Sequence, residues 1–473
     1  MQCNWYEPIS LYLKQNNHTM KNALAFLFFV FIGIQSSFAF PPDSTNNVFE
    51  KGTAQYFIQE GRRLYTEGQF QYALVKFREA LAKDANNAMA TYWLGECHLA
   101  LGNYEKAIEN AENALLIDSL VYSESGYLLG KAYHRLGELD KAIKNYSSLV
   151  GKLGENRLKE LRVQFLIAEC VRAKTMIQNP VNVKIQPLDM NINSPFDDYA
   201  PCLSPDGKYF YFVSRRADNL GGGVSSGDKR YFEDIYVSIW SDSLNAWGES
   251  SNSDEIVKRI NSYGFDHINY ISPDGKTLYL TINTMGLDAP KPKTKHSDIF
   301  ISRVNNKGGW NTPKPIEKPI RTIYFEAGAT FTEDGKTMFF VTEKLGGEGN
   351  ADLWMSVKEG SAWGKPVNLG KTINTPAQET TPQITPDGKY LFFSSTGHEG
   401  MGGYDVYVTT EVDGEWINPV NLGYPINTVT DETHFVFYQK MNKAYYSTFS
   451  NATNKGVGAR DIFEIDMTNI KLP

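Results

Sequence analysis

Cysteine is nearly absent: the 473-residue sequence has four, at positions 3, 97, 170 and 202, with no CxxC pair and no histidine at metal-ligand spacing. The sequence therefore predicts no metal and no cofactor, and Cys97, Cys170 and Cys202, each in an apolar context, are expected to be buried free thiols. Basic charge is short as well. Lys and Arg total 47 against 54 Asp and Glu, for a net charge of −7, and no basic cluster is large enough to follow a phosphate backbone, which excludes nucleic acid. No apolar run reaches the roughly 20 residues that span a bilayer, so the mature chain has no expected transmembrane segment. HExxH, the P-loop and the dinucleotide fingerprint are all missing. Gly223–Gly227 fits GxSxG and Ser226–Lys229 fits SxxK, but both lie in the Gly-rich loop Asn219–Asp228 between two predicted strands. A nucleophile elbow needs a strand before it and a helix after it. The chain is not expected to be an enzyme.

The first clear pattern present is a leader. Met20-Lys21-Asn22, the apolar run Ala23–Ile34 and Ser37-Phe38-Ala39 have the basic, apolar and small-residue parts of a secretory signal. Residues 1–39 are read as leader and signal peptide, cut after Ala39, with Met20 as an alternative start; an uncleaved anchor is the competing reading. Export to the periplasm follows, with peripheral association with an outer membrane possible in principle.

From Thr53 the pattern becomes helix pairs. Gly61, Gly95 and Gly130 are 34 and 35 residues apart, and Ala73, Ala107 and Ala142 repeat at the same intervals. Gly68, Gly102 and Gly137 end the first helices, and Phe70, Tyr104 and Leu139 follow each turn. Small residues at these points let paired helices approach closely. Over residues 53–178 this is an α-solenoid, with Asn156–Ile177 as one amphipathic closing helix before Asn179-Pro180. The spacing and these residues resemble the tetratricopeptide repeat family, and the resemblance implies a concave groove that binds peptides or partner proteins. Tyr92, Trp93, His98, Tyr127 and His134 are the candidate groove residues, although helical phase allows them core positions too. The alternative is that the helices only brace the rest of the chain or dimerise.

The second half is a repeat of another kind. Ser204-Pro205-Asp206-Gly207-Lys208, Ser272-Pro273-Asp274-Gly275-Lys276, Thr332-Glu333-Asp334-Gly335-Lys336 and Thr385-Pro386-Asp387-Gly388-Lys389 are each followed by an aromatic strand, with a worn copy at Gln439–Lys443. Pro-Asp-Gly is turn chemistry, and the aromatic run suits a strand. An Asp-led strand follows in every copy, at Asp234, Asp298, Asp352, Asp405 and Asp461, and then Trp247, Trp310, Trp363 or Trp416 and a Pro-Val-Asn-Leu-type segment. Four strands per unit and five units predict a five-bladed β-propeller over residues 183–467. The last unit stops at its third strand, so Val183–Leu188 is expected to supply the fourth and close the ring without a disulfide. The fold class is thus α + β multidomain, a helical solenoid followed by an all-β propeller.

These motifs resemble the PD40 family of WD40-like propellers found in TolB and in Bacteroidota envelope proteins. Signal peptide, tetratricopeptide repeats and PD40 propeller together resemble the front half of PorE-type components of the type IX secretion system and related OmpA-family proteins. The OmpA-like peptidoglycan-binding part of those proteins has no counterpart in this sequence, so that anchoring is not carried over. The resemblance implies an exported protein–protein interaction scaffold with envelope proteins or peptides as partners. The alternative is a propeller enzyme or glycan-binding module, which a cluster of non-repeated Asp, Glu or His in one channel mouth would favour.

Each copy also carries an acid eight residues before its turn Asp, at Asp198, Asp266, Glu326 and Glu379, with Glu432 equivalent in the last. A ring of carboxylates at one channel mouth would attract a cation or basic peptide. Repetition in every blade fits a fold-holding role better, each acid accepting hydrogen bonds from nearby backbone, Ser, Thr or Tyr and holding blade to blade. Differences between copies point more directly to function. Arg215–Glu233 and Asn283–Ser297 are insertions, and the second puts Lys291, Lys293, Lys295 and His296 on one loop as a candidate binding patch.

Overall fold

The computed structural model describes residues 43–121, 124–225, 227–285, 287, 294–450 and 454–473. The leader and signal sequence, together with Lys291 and Lys293, lie outside the described residues. The chain divides into two compact units, one helical and one mainly β, with the boundary inside the last helix between Cys170 and Val171.

The helical unit runs α1 (Asp43–Thr66), α2 (Phe70–Lys83), α3 (Ala88–Ala100), α4 (Tyr104–Ile117), α5 (Ser125–Arg135), α6 (Leu139–Ser147), α7 (Glu155–Glu160) and α8 (Val163–Gln178). The first six pair in sequence, and Ala73, Ala107 and Ala142 are fully buried where partners meet. Gly130 shows why the position excludes a side chain, since a Cβ there would sit 2.5 Å from the Tyr146 ring. The closing element differs from the single helix expected over Asn156–Ile177. It is two helices broken at Arg162, which has a positive φ of 53°. The break turns both Leu161 and Val163 inward, and both are buried, whereas an unbroken helix would place residues two apart on different faces.

The β unit begins with β1 (Lys184–Pro187). The first blade is β2 (Asp198–Leu203), β3 (Tyr209–Ser214), β4 (Asp234–Ser241) and β5 (Ala246–Trp247), and the second is β6 (Phe265–Ile271), β7 (Thr277–Asn283), β8 (Asp298–Arg303) and β9 (Lys314–Pro315). The third comprises β10 (Glu326–Phe331), β11 (Thr337–Thr342), β12 (Asp352–Glu359), β13 (Ala362–Trp363) and β14 (Val367–Asn368). The fourth repeats that plan with β15 (Glu379–Ile384), β16 (Tyr390–Ser395), β17 (Asp405–Val412), β18 (Glu415–Trp416) and β19 (Val420–Asn421). The fifth is β20 (Thr433–Tyr438), β21 (Lys443–Phe449) and β22 (Arg460–Asp466), completed by β1. The pairing of β1 with β22 is antiparallel, from Lys184 opposite Asp466 to Pro187 opposite Phe463, so the ring closes as the repeat count implied.

Apolar side chains fill the layers between blades. Phe210 and Phe212 of β3 pack with Tyr445 and Ile462 of the fifth blade, while Tyr211 and Val213 pack with the second. Because both faces of a blade are covered by its neighbours, the aromatic strands are apolar at nearly every position rather than at alternate ones. The hairpin turns have the expected chemistry. Thr385 Oγ1 donates to Asp387 Oδ1 at 2.6 Å, Lys389 N–H donates to the same oxygen at 3.0 Å, and Gly388 takes a φ of +73°. In the worn fifth copy a 3₁₀ turn with left-handed Asn442 replaces it. The outer strand is shorter than predicted. In the third and fourth blades it is split into a Trp-bearing pair (β13, β18) and a Val-Asn pair (β14, β19), because Pro366 and Pro419 between the two pieces lack an N–H for the ladder.

Candidate functional site

In the helical unit the first helices of the three pairs share a polar seam. Glu96 of α3 is buried and accepts hydrogen bonds from Tyr92 Oη at 2.6 Å and from Tyr65 Oη of α1 at 3.3 Å. From α5, Lys131 sits with its ammonium 5.3 Å from the Tyr127 ring centroid. Burial pushes the Glu96 carboxyl up and the Lys131 ammonium down to about 8, and each charge partly offsets the shift of the other. Tyr92 and Tyr127 of the candidate groove set thus belong to one seam. Trp93 stacks on Phe77 at 5.9 Å in the core, below the Arg62 guanidinium, and His134 is buried against Tyr146. His98 is buried as well. The contributions of Tyr65, Glu96 and Lys131 were missed in sequence, yet Glu96 and Lys131 are 35 residues apart, like Tyr92 and Tyr127. Applying the repeat interval to every first-helix position would have found them.

In the propeller the five repeated acids are all fully buried. Each takes the backbone N–H of the residue four before it: Ser194 to Asp198, Ser262 to Asp266, Thr322 to Glu326, Thr375 to Glu379 and Thr428 to Glu432. Glu432 also accepts from the hydroxyls of Thr428, Thr430 and Thr448. These bonds stay within one blade, which corrects the expectation that the carboxylates tie blade to blade. The ties come from elsewhere. The acid's backbone N–H donates to the preceding blade, as from Glu379 to Ala351 O and from Glu432 to Tyr404 O. An asparagine just before the Ser or Thr in four of the five blades makes a second link, argued in the Discussion. The later acids hold loops: Asp352 and Asp461 each accept two backbone N–H groups from the preceding turn.

Burial outweighs these hydrogen bonds and raises Glu326, Glu379 and Glu432 to about 7 and Asp198 to about 6. An acid raised in the folded state keeps a proton that the unfolded chain has released. The resulting stabilisation is full below the unfolded value near 4.5 and is lost as pH rises through 7. Between about pH 6.5 and 8 the three glutamates together predict a fall in stability of about 2 kcal/mol. Urea unfolding followed by near-ultraviolet circular dichroism at the two pH values checks this, and greater stability at the higher pH would refute it.

Comparisons with known proteins bear on the helical unit. Tetratricopeptide repeat models match residues 58–119 and 124–150. The helical region is built of tetratricopeptide repeats. The search of curated proteins gave no match. Among solved structures, the second tetratricopeptide domain of Spaghetti (RPAP3), bound to an HSP90 peptide, is 22% identical, with 23% of this chain and 97% of that one covered and a TM-score of 0.22. The Yersinia enterocolitica type III secretion chaperone SycD, in complex with a peptide of the translocator YopD, is 20% identical over 26% of this chain and 95% of its own, at a TM-score of 0.24. The P58(IPK) tetratricopeptide domain is 20% identical over 26% of this chain and 34% of its own, also at 0.24.

The remaining candidates are dispersed. Lys295 is exposed and His296 is half-buried near Asp298. Ser225 is buried in a loop whose Val224 bridges to Tyr231, and the element that follows is a strand rather than a helix. Cys97, Cys170 and Cys202 are buried free thiols. Among the described residues no helix is long and apolar enough to cross a membrane. One group went unnoticed in sequence. Tyr199, His267 and His434, one or two residues after three of the repeated acids, bring their rings together across the channel. The signal was present as a difference between copies, since the equivalent positions in the third blade are Ala327 and Gly328.

Proposed function

We propose that this protein is an exported, non-enzymatic scaffold of a bacterial cell envelope, with the groove of its tetratricopeptide repeats holding a peptide segment of a partner protein. The observation that carries the proposal is the Tyr65–Tyr92–Glu96–Tyr127–Lys131 seam, where three successive first helices of the repeats pool hydrogen-bonding and charged groups with aromatic faces. Such a mixture suits an extended peptide, whose backbone needs polar partners and whose side chains need apolar ones. The PD40 and TolB-like character of the propeller, the periplasmic location and an association with a PorE-type secretion or outer-membrane assembly are part of this proposal, supported by the signal-like leader and the repeated blade motifs. The test is affinity capture from envelope fractions with the whole mature chain and with Lys131→Glu. A defined protein partner is expected with the first and is lost with the second. Fractionation that leaves the protein in the cytoplasm, or capture unaffected by Lys131→Glu, would refute it.

A second reading is favoured by one observation. The convergence of Tyr199, His267 and His434 is a non-repeated cluster on the innermost strands, and it supports a propeller that binds a small ligand or glycan.

A further inference from the structure

The innermost strands of the propeller bring two histidines and a tyrosine to its axis. His267 lies on β6 of the second blade and His434 on β20 of the fifth, blades that do not adjoin, yet their ring centroids are 4.9 Å apart. The pair therefore spans the channel. Tyr199 of the first blade lies between them, 5.9 Å from His267 and 5.6 Å from His434. Above the Tyr199 ring is the guanidinium of Arg460, at 5.4 Å, packed also over Phe449 at 4.7 Å.

Three nitrogens of this group lack hydrogen-bond partners among the described residues: His267 Nδ1, His434 Nε2 and Arg460 Nε. His267 is 4% exposed, and buried polar atoms are rarely left in this state unless something else meets them. The backbone is strained at the same place, with Ala200 and His434 at φ values of 54° and 57°, inside bulges that re-aim the innermost strands. His434 Nδ1 lies 2.8 Å from Thr433 Oγ1. With that hydroxyl donating, Nε2 carries the hydrogen and presents it to the channel.

We propose that this cluster is a carboxylate-binding site, in which Arg460, His267 and His434 grip the two oxygens of the ligand above the Tyr199 ring. Charge argues for an anion. The nearby carboxylates face other cations: Asp197 pairs with Arg230 at 2.8 Å, and Glu233 lies beside Arg215 and takes the Tyr199 hydroxyl, although its charge also reaches His267. No carboxylate pairs with Arg460 among the described residues. Burial holds His267 down to about 4 against the opposing pull of the Glu233 charge, with Arg460 adding to the fall, and burial likewise lowers His434, so the imidazoles are neutral and Arg460 is the cation the ligand meets. A guanidinium edge takes carboxylate and phosphate alike, so flatness selects the carboxylate: a planar two-oxygen group lies across closely packed rings where a tetrahedral phosphate would be crowded. The inference rests on the second reading above and is independent of the helical groove.

The experiment is calorimetric titration of the full mature chain with triglycine, C-amidated triglycine, succinate, inorganic phosphate and maltotriose. Triglycine is expected to bind at least tenfold more tightly than its amide, a comparison that needs no variant, and Arg460→Gln and His434→Gln should each weaken it at least tenfold. Binding of triglycine without succinate assigns the site to a chain terminus, and the reverse assigns it to a small acid. Equal binding of triglycine and its amide, or tighter binding of phosphate, overturns the proposal. Binding of maltotriose alone overturns it while leaving the ligand-binding reading standing, and binding of none of the five overturns both.

Discussion

Replacing Val183–Leu188 with six Gly and Ser residues should lower the melting temperature of the β unit by about 10 °C and drive the protein into larger species. The segment pairs with β22 over four residues, and Leu188 N–H continues the ladder to Ile462 O at 3.0 Å. Val183 and Ile185 cover Phe463, Ile465 and Met467, while Leu188 packs into the layer of Phe210 and Tyr445. Three partly buried aliphatic side chains contribute about 1 kcal/mol each, and the ladder adds about 1 kcal/mol more. At roughly 2–4 °C per kcal/mol for a domain of this size, the sum gives the stated shift. The replacement also bares the outer edge of β22, whose N–H and C=O groups would then pair with another copy. Differential scanning calorimetry and size-exclusion chromatography read the two effects. A variant that melts within 2–3 °C of the parent and stays the same size would show that closure does not depend on this strand.

What was legible in sequence is what local chemistry repeats at a fixed interval. The Asp387 turn forms from five consecutive residues and needs nothing distant, so its four copies announced the blades. The 34- and 35-residue intervals announced the helix pairs in the same way. Closure could be read because a missing fourth strand at one end matched a surplus one at the other. Features that depend on where distant segments meet were not readable. The Arg162 break serves the simultaneous burial of Leu161 and Val163, a tertiary demand that outweighs the helical periodicity around it. The splitting of the outer strands depends on Pro366 and Pro419, visible as residues but not as interruptions until the Trp-bearing segment is seen to fold back on its own. The channel group is the extreme case. Tyr199, His267 and His434 share a place one or two residues after a repeated acid, but that His267 and His434 meet across the channel follows only from ring closure.

The repeated carboxylates teach a related lesson. Their recurrence argues for the fold over a ligand, but the chemistry that joins blades is in the unassuming residue five positions earlier. Asn193, Asn261, Asn374 and Asn427 each grip one residue of the preceding blade's third strand with both ends of the amide. Asn193 does so across the ring junction, to Ile462. An amide is suited to this because it offers a donor and an acceptor in one plane, matching the N–H and C=O of a single strand residue. Ser or Thr cannot reach both, and Asp lacks the donor.

Asn427→Ala should therefore destabilise the β unit by about 3 kcal/mol. The side chain is fully buried; it accepts from Val406 N–H at 2.7 Å and donates to Val406 O at 2.9 Å and to Asn421 Oδ1 at 2.7 Å. Truncation leaves the Val406 N–H without a partner in a dry layer, at a cost of about 1–3 kcal/mol, and removes two further bonds. The chain supplies its own control. At the corresponding position of the third blade the residue is Arg321, exposed to solvent, and no asparagine among the described residues grips Ile299. Arg321→Ala should thus change stability by less than about 0.5 kcal/mol, as a surface substitution does. Arg321→Asn tests sufficiency, with a gain of about 1 kcal/mol expected if the new amide reaches Ile299. Urea unfolding of the three variants against the parent decides the matter. Should Asn427→Ala cost no more than Arg321→Ala, the blades are held by apolar packing and backbone bonds alone, and the asparagine has no clamping role.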